Sequence, residues 1–148
     1  MGQLTSQLGG RVYLDTNIII YAVEGYETHA ELIKSVLQAL TERQLVAITS
    51  DLTLAEVLVK PQRDGNSSVA DAYRRFLSPT EVLQNAPITR ELLEVTASIR
   101  ATTSLKLPDA IHLASALQYN CDSFLTNDDC FQSLLGLKVV MLAKLSIV

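Results

Sequence analysis

Short apolar segments rich in β-branched residues alternate along this chain with longer segments whose apolar residues recur at helical spacing. That alternation limits the fold more than any single residue does. Residues 11–14 (RVYL) read as a strand running into Asp15-Thr16-Asn17, a turn or helix-start cluster. Over residues 29–42, Leu32, Ile33, Val36, Leu37 and Leu40 fall on one helix face. Residues 45–49 read as a second strand. Ser50-Asp51 can cap a helix over 52–59, which Pro61 is expected to end. A polar loop over 63–68 precedes a helix over 69–77, and residues 80–83 form a short strand candidate. Thr89 caps a helix carrying Leu92, Val95 and Ile99. Pro108 opens another, with Ala110, Ile111, Ala114 and Leu117 on its buried face. Strands over 123–125 and 138–142 complete the series. Such alternation implies crossover units and an α/β fold, with a mostly parallel sheet covered on both faces. Ligands of these sheets gather beyond the carboxyl ends of the strands, so the chemistry is sought there.

The length of 148 residues suits one domain. Neither a repeat nor a linker divides it, so residues 1–10 read as a flexible leader before a single domain over 11–148. Hydrophobic residues at 48% against 19% charged support a packed core. Lys and Arg number 12 against 16 Asp and Glu, which excludes a strongly basic nucleic-acid-binding domain but leaves room for local basic patches. With no Trp and 3 Phe, a broad base-stacking platform is not expected. The first residues lack the charged and apolar regions of a signal peptide, and the apolar run at 18–23 falls far short of the ~18 residues of a membrane span. A cytoplasmic protein with no membrane association is expected. Cys121 and Cys130 flank a strand and form no CxxC pair, and with two histidines they assemble no zinc cluster. Inert thiols in a reducing compartment are expected.

The chemistry lies in the acids. Asp15 follows the first strand directly, and Asp128 follows the strand over 123–125 after two residues. Both therefore belong at the carboxyl edge of the sheet. Glu56 is flanked by Leu54, Ala55, Val57 and Leu58, and Asp109 by Leu107, Pro108, Ala110 and Ile111. An acid inside an apolar segment is costly unless something pairs with it. No Lys or Arg is placed to neutralise all four, and each close like-charged pair costs ~1–4 kcal/mol at water-like to surface-like dielectric. A divalent cation removes that repulsion, and an all-oxygen donor set favours Mg²⁺ or Mn²⁺ over zinc. Singly, each acid has a plainer reading. Asp15 and Asp128 can serve as helix N-caps, Asp109 as an ordinary first-turn acid on a helix dipole, and Glu56 as a solvated residue.

Four segments together resemble the PIN domain, specifically the VapC-type toxins of toxin–antitoxin pairs: VYLDTNIIIYA (12–22), TSDLTLAEVLVKP (49–61), LKLPDAIHLASAL (105–117) and SFLTNDDCF (123–131). They cover nearly the whole chain in the family's order. The resemblance implies a three-layer α/β/α fold and a metal-dependent endoribonuclease that hydrolyses RNA phosphodiester bonds with one or two Mg²⁺ or Mn²⁺ ions. Its acidic quartet maps onto Asp15, Glu56, Asp109 and Asp128. Asp15 and Asp109 are then the main metal ligands, and Glu56 and Asp128 complete the shell directly or through water. Asn17 and Thr126 match the polar positions that orient the site, with Ser50 as a weaker support. The T-x-D-x-x-F pattern selects Asp128 over Asp129. A cognate antitoxin and a homodimer are the partners implied.

Other residues admit two readings. His112 lies three residues after Asp109 on the same helix face, and hydrogen-bonded packing outweighs a metal or acid–base role there. Arg63, Arg74 and Arg75 can grip RNA phosphates or form a solvated face, since Asp64 and Asp71 intervene. Two other functions share the pattern in part. A haloacid-dehalogenase-type phosphatase needs a second Asp two residues after the first, where this chain has Asn17. A receiver-like, non-catalytic Mg²⁺-binding module needs a phosphoacceptor after its central strand and a late Lys, and neither is evident.

Overall fold

A computed structural model describes residues 3–131, 133 and 136–146. Its elements run α1 (Gln3–Leu8), β1 (Arg11–Leu14), α2 (Thr16–Glu24), α3 (Ala30–Thr41), β2 (Val46–Ser50), α4 (Asp51–Arg63), α5 (Ser67–Phe76), β3 (Leu83–Ala86), α6 (Arg90–Thr102), α7 (Leu107–Gln118), β4 (Ser123–Thr126) and β5 (Lys138–Met141). The strands form one sheet in the order β3-β2-β1-β4-β5, and every neighbouring pair is parallel. Along β1 the side chains alternate between faces. Val12 and Leu14 join one apolar cluster with residues of α2, α3 and α5, whereas Tyr13 joins a second cluster with α6 and α7. Leu125 and Phe124 of β4 divide in the same way. That is the period-2 signature of a sheet buried on both sides, and the result is a three-layer α/β/α domain. The strand order reverses direction between β1 and β4, so the carboxyl ends of these two strands border the topological switch point.

Three local expectations change. Residues 1–10 read as a loose leader, yet Gln3–Leu8 is helical and Leu8 is buried (Met1 and Gly2 lie outside the described residues). The segment is tied down at its end. Asp122 Oδ2 accepts from the backbone N–H of Gly10 and Arg11, each at 2.9 Å, and Ser123 Oγ donates to the Leu8 carbonyl at 2.7 Å. Pro61 does not end its helix, because α4 runs on to Arg63 with the proline inside and buried. Only Gln62 and Arg63 follow the proline, less than one turn, and the Asn66 N–H closes the end by donating to the Pro61 carbonyl at 2.8 Å. The third strand falls on Leu83–Ala86, later than 80–83. Thr80 Oγ1 accepts from the N–H of Val82 and of Leu83, which makes that stretch a turn. Among the described residues no helix is long and apolar enough to cross a membrane.

Candidate active site

β1 ends at Leu14 and the chain turns at once into α2. Asp15 is the N-cap of that helix: its Oδ1 accepts from the Thr16 N–H at 2.9 Å. It is also nearly sealed, at 5% exposure. Its other oxygen accepts from Thr126 Oγ1 at 2.7 Å and from Asn17 Nδ2 at 3.2 Å. Asn17 spans the switch point, since its Oδ1 accepts from the Asn127 N–H at 3.1 Å. Thr126 Oγ1 accepts in turn from the Asp128 N–H at 3.0 Å. Asp15, Asn17, Thr126 and the backbone before Asp128 thus form one hydrogen-bonded unit joining the ends of β1 and β4. Ser50 is fully buried and caps α4, accepting from the Leu52 N–H at 3.0 Å, and it bonds to none of the four acids among the described contacts.

Glu56 and His112 meet on the other side of Asp15. Glu56 Oε1 accepts from Thr16 Oγ1 at 2.6 Å and lies 2.7 Å from His112 Nε2. The imidazole is 1% exposed, and its Nδ1 is 2.6 Å from the Tyr13 hydroxyl. Tyr13 is held in turn by Phe124, whose ring stacks on it at 5.0 Å and 9°.

Asp109, in the first turn of α7, comes together with Asp128. One ligand atom from each of Asp109, Asp128 and Cys130 falls within 4.8 Å of the others. Asp129 is not in that group. The Asp128 carboxylate accepts from the Cys130 N–H at 3.0 Å, and Cys130 Sγ lies 3.8 Å from Asp109 Oδ2. Asp128 is therefore a turn residue and not a helix cap, whereas Asp15 caps α2.

The charge balance is lopsided. Among the described residues, the ion pairs of Lys and Arg are Arg43 with Glu81, Lys60 with Asp64 and Arg74 with Asp71, and none reaches the four acids. The Asp15 carboxyl is pushed up from its ordinary value, first by burial and then by the Glu56 charge, against the pull of His112 and its hydrogen bonds. Asp109 is pushed up by burial and by the charges of Asp15 and Asp128. For Glu56, burial raises the carboxyl but the His112 and Thr16 hydrogen bonds outweigh it, and the net shift is downward. Burial and the neighbouring acids hold the Cys130 thiol up at about 12. Clustered carboxylates, two of them with raised proton affinity and none paired with Lys or Arg among the described residues, are a donor set suited to a hard divalent ion.

A family model described as the PIN domain matches residues 12–135. The chain belongs to the PIN-domain family. No curated protein sequence matches it. Among solved structures, this PIN domain is similar to VapBC2 from Rickettsia felis bound to a DNA fragment from its promoter, with a TM-score of 0.70 and 18% identity over 88% of this chain and 98% of that one. It is also similar to a toxin–antitoxin complex from Klebsiella pneumoniae, with a TM-score of 0.67 and 25% identity over 88% of this chain and 97% of that one. A third relative in fold is VapC20 of Mycobacterium tuberculosis, a sarcin-ricin loop cleaving toxin, with a TM-score of 0.59 and 16% identity over 76% and 86% of the two chains.

Sequence reasoning about this PIN domain passed over three side chains at the site. Thr16 stands between Asp15 and Asn17, so its neighbours carried the only signal. Tyr13 is a β1 residue whose ring reads as core, and nothing in sequence links it to His112. Cys130, expected to be inert, lies beside Asp109, a contact made only when the turn after β4 folds against α7. Within the basic stretch, Arg74 bonds to Asp71 at 2.8 Å.

Proposed function

We infer that this PIN domain is a metal-dependent endoribonuclease, the toxin of a toxin–antitoxin pair, acting in the cytoplasm. The observation that carries the reading is the set of four acids at the carboxyl edge of β1 and β4 with no Lys or Arg paired to them. Asp15 and Asp109 are the main ligands for one or two Mg²⁺ or Mn²⁺ ions, and Glu56 and Asp128 complete the shell directly or through water. A bound ion of this kind supplies charge that polarises a phosphoryl oxygen and lowers the pKa of an attacking water. The chain's own part is to hold the acids ready. Thr126, Asn17 and the Thr16 N–H fix both oxygens of Asp15, so little reorganisation is needed when the ion arrives. Thr16 orients Glu56 across from it. The substrate is RNA. Two of the similar structures are toxin–antitoxin assemblies, which supports a cognate antitoxin as partner, and a homodimer is the assembly the resemblance implies.

The test is cleavage of total cellular RNA by the purified protein with Mg²⁺, Mn²⁺ or EDTA, beside an Asp15→Asn variant. Cleavage that needs the ion and disappears in the variant supports the reading, and sequencing the fragment ends then names the target. Cleavage that persists in EDTA, or in a folded Asp15→Asn protein, overturns it.

A further inference from the structure

His112 is a polar residue in the most enclosed part of the molecule. Ala110 to Ala116 are all buried along α7, and the imidazole shares that stretch with Ile111, Leu113 and Ala114. An apolar side chain fills such a place at no polar cost, whereas an imidazole there must have both nitrogens paired. Both are. Nδ1 faces the Tyr13 hydroxyl at 2.6 Å, and Nε2 faces Glu56 Oε1 at 2.7 Å with Thr16 Oγ1 at 3.1 Å. A carboxylate only accepts, so the nitrogen facing Glu56 carries the hydrogen. Nδ1 stands within hydrogen-bond distance of the Tyr13 hydroxyl, and when the ring carries a single hydrogen it accepts from that hydroxyl. Tyr13 is itself clamped between its strand and the Phe124 ring. The result is a rigid line from the core to the site: Tyr13, His112, Glu56.

The line ends on one oxygen only. His112 and Thr16 both address Oε1 of Glu56, and among the described contacts Oε2 accepts nothing. Resting on the metal-dependent reading above, we propose that His112 is a positioning residue that locks the Glu56 carboxylate through Nε2–H, with Tyr13 fixing the tautomer, so that Oε2 is kept free for the ion or its water. Hydrogen-bond partners of metal-binding side chains do this work in general, and their loss costs about 10–100-fold in metal affinity or activity. The role differs from packing in one respect: it acts through Glu56 and is silent once Glu56 is gone.

The experiment measures Mn²⁺ affinity from the free-ion electron paramagnetic resonance signal. It uses the unaltered chain, His112→Asn, His112→Gln, Glu56→Ala and the His112→Asn/Glu56→Ala double variant. The short amide of asparagine can still take the Tyr13 hydroxyl but does not reach Glu56, whereas the longer amide of glutamine does. His112→Asn is expected to weaken Mn²⁺ binding by about 10–100-fold, His112→Gln to keep most of the affinity, and the double variant to bind like Glu56→Ala alone. Normal affinity in His112→Asn, or an equal further loss in the Glu56→Ala background, overturns the proposal and leaves the metal site standing. An unaltered chain that binds no Mn²⁺ overturns the metal reading itself, and this inference with it. A ¹⁵N spectrum of the histidine ring in the unaltered protein checks the tautomer without any variant. Hydrogen on Nε2 is expected, and hydrogen on Nδ1 alone overturns the proposal.

Discussion

Asp15 answers two demands with one carboxylate. One oxygen caps α2, and the other is gripped by Thr126 and Asn17, so the capping role occupies one oxygen and leaves the second tied to the end of β4. The burial that makes this possible also gives the site a pH signature. Asp15 and Asp109 are raised, so the folded chain holds protons that the unfolded chain releases. The stability they contribute is whole below the ordinary aspartate value and is lost as pH rises through their raised values. Glu56 runs the other way: its contribution is present above the ordinary glutamate value and is lost as pH falls through its lowered one. Without divalent ions, the chain should therefore lose thermal stability relative to an Asp109→Asn variant as pH rises through the raised range. Added Mn²⁺ should reverse that loss, because the ion binds the ionised form. A difference in melting temperature that stays flat with pH contradicts the assignment. Thr126→Val should weaken Mn²⁺ binding by about tenfold or more by releasing Asp15 Oδ2, as read by the same ion titration. The four acids were legible as candidates because each interrupts an apolar or strand-end context. Tyr13 and Thr16 were not, because their importance comes from partners far away in sequence.

At the scale of elements, the caps were the clearest signals and the weak strand was the least clear. Thr89 caps α6 as the sequence predicts: its Oγ1 accepts from the Leu92 N–H at 3.1 Å. Thr89→Ala should cost about 1 kcal/mol of stability in urea unfolding while leaving RNA cleavage intact, because the Thr89 hydroxyl bonds within its own helix start and to none of the four acids. The third strand lies a few residues later than the sequence predicts, for a physical reason. Its sequence is Leu-Gln-Asn-Ala, and Gln84 and Asn85 carry little strand propensity of their own. They are extended because β2 offers them a ladder, with Thr49 facing Asn85 and Ser50 facing Ala86. The preceding Thr80 to Val82 looks more strand-like but turns back on the Thr80 hydroxyl. Pro61 shows the opposite override. Its rule as a helix breaker holds for an isolated chain, yet its ring is buried in the last turn of α4, where less than one further turn has to form.

The whole molecule closes through its first helix. Leu8 belongs to the same apolar cluster as Val12, Leu14 and Leu125, and the chain then bends at Gly9 with φ of 76°. A Cβ at Gly9 would meet Asp122 Cβ at 2.4 Å, and Asp122 is the residue that holds the Gly10 and Arg11 amides. Gly9→Ala should accordingly destabilise the domain by more than the ~1 kcal/mol by which a strain-free exchange stabilises one. Leu8→Ala should cost about 2–5 kcal/mol as a buried truncation, and urea unfolding reads both. A loose leader predicts no change for either. The parallel three-layer architecture was readable from alternation alone, because each crossover requires its own helix. The docking of residues 3–8 was not, because a six-residue segment with two leucines has too little periodicity to declare which surface it meets.

The buried run along α7 has a consequence for how the protein breathes. Asp109 stands near the solvent-facing start of that helix, and the residues after it are sealed between the sheet and α6. Alanines at 110, 114 and 116 let the backbone sit close to the strands, so the helix has no room to slide or tilt by itself. Amide hydrogens in the body of α7 should exchange only when the whole domain opens, and those of the exposed turn at Asp128 to Cys130 far sooner. One side of the acidic cluster thus keeps the lifetime of the fold, and the other keeps the lifetime of a turn.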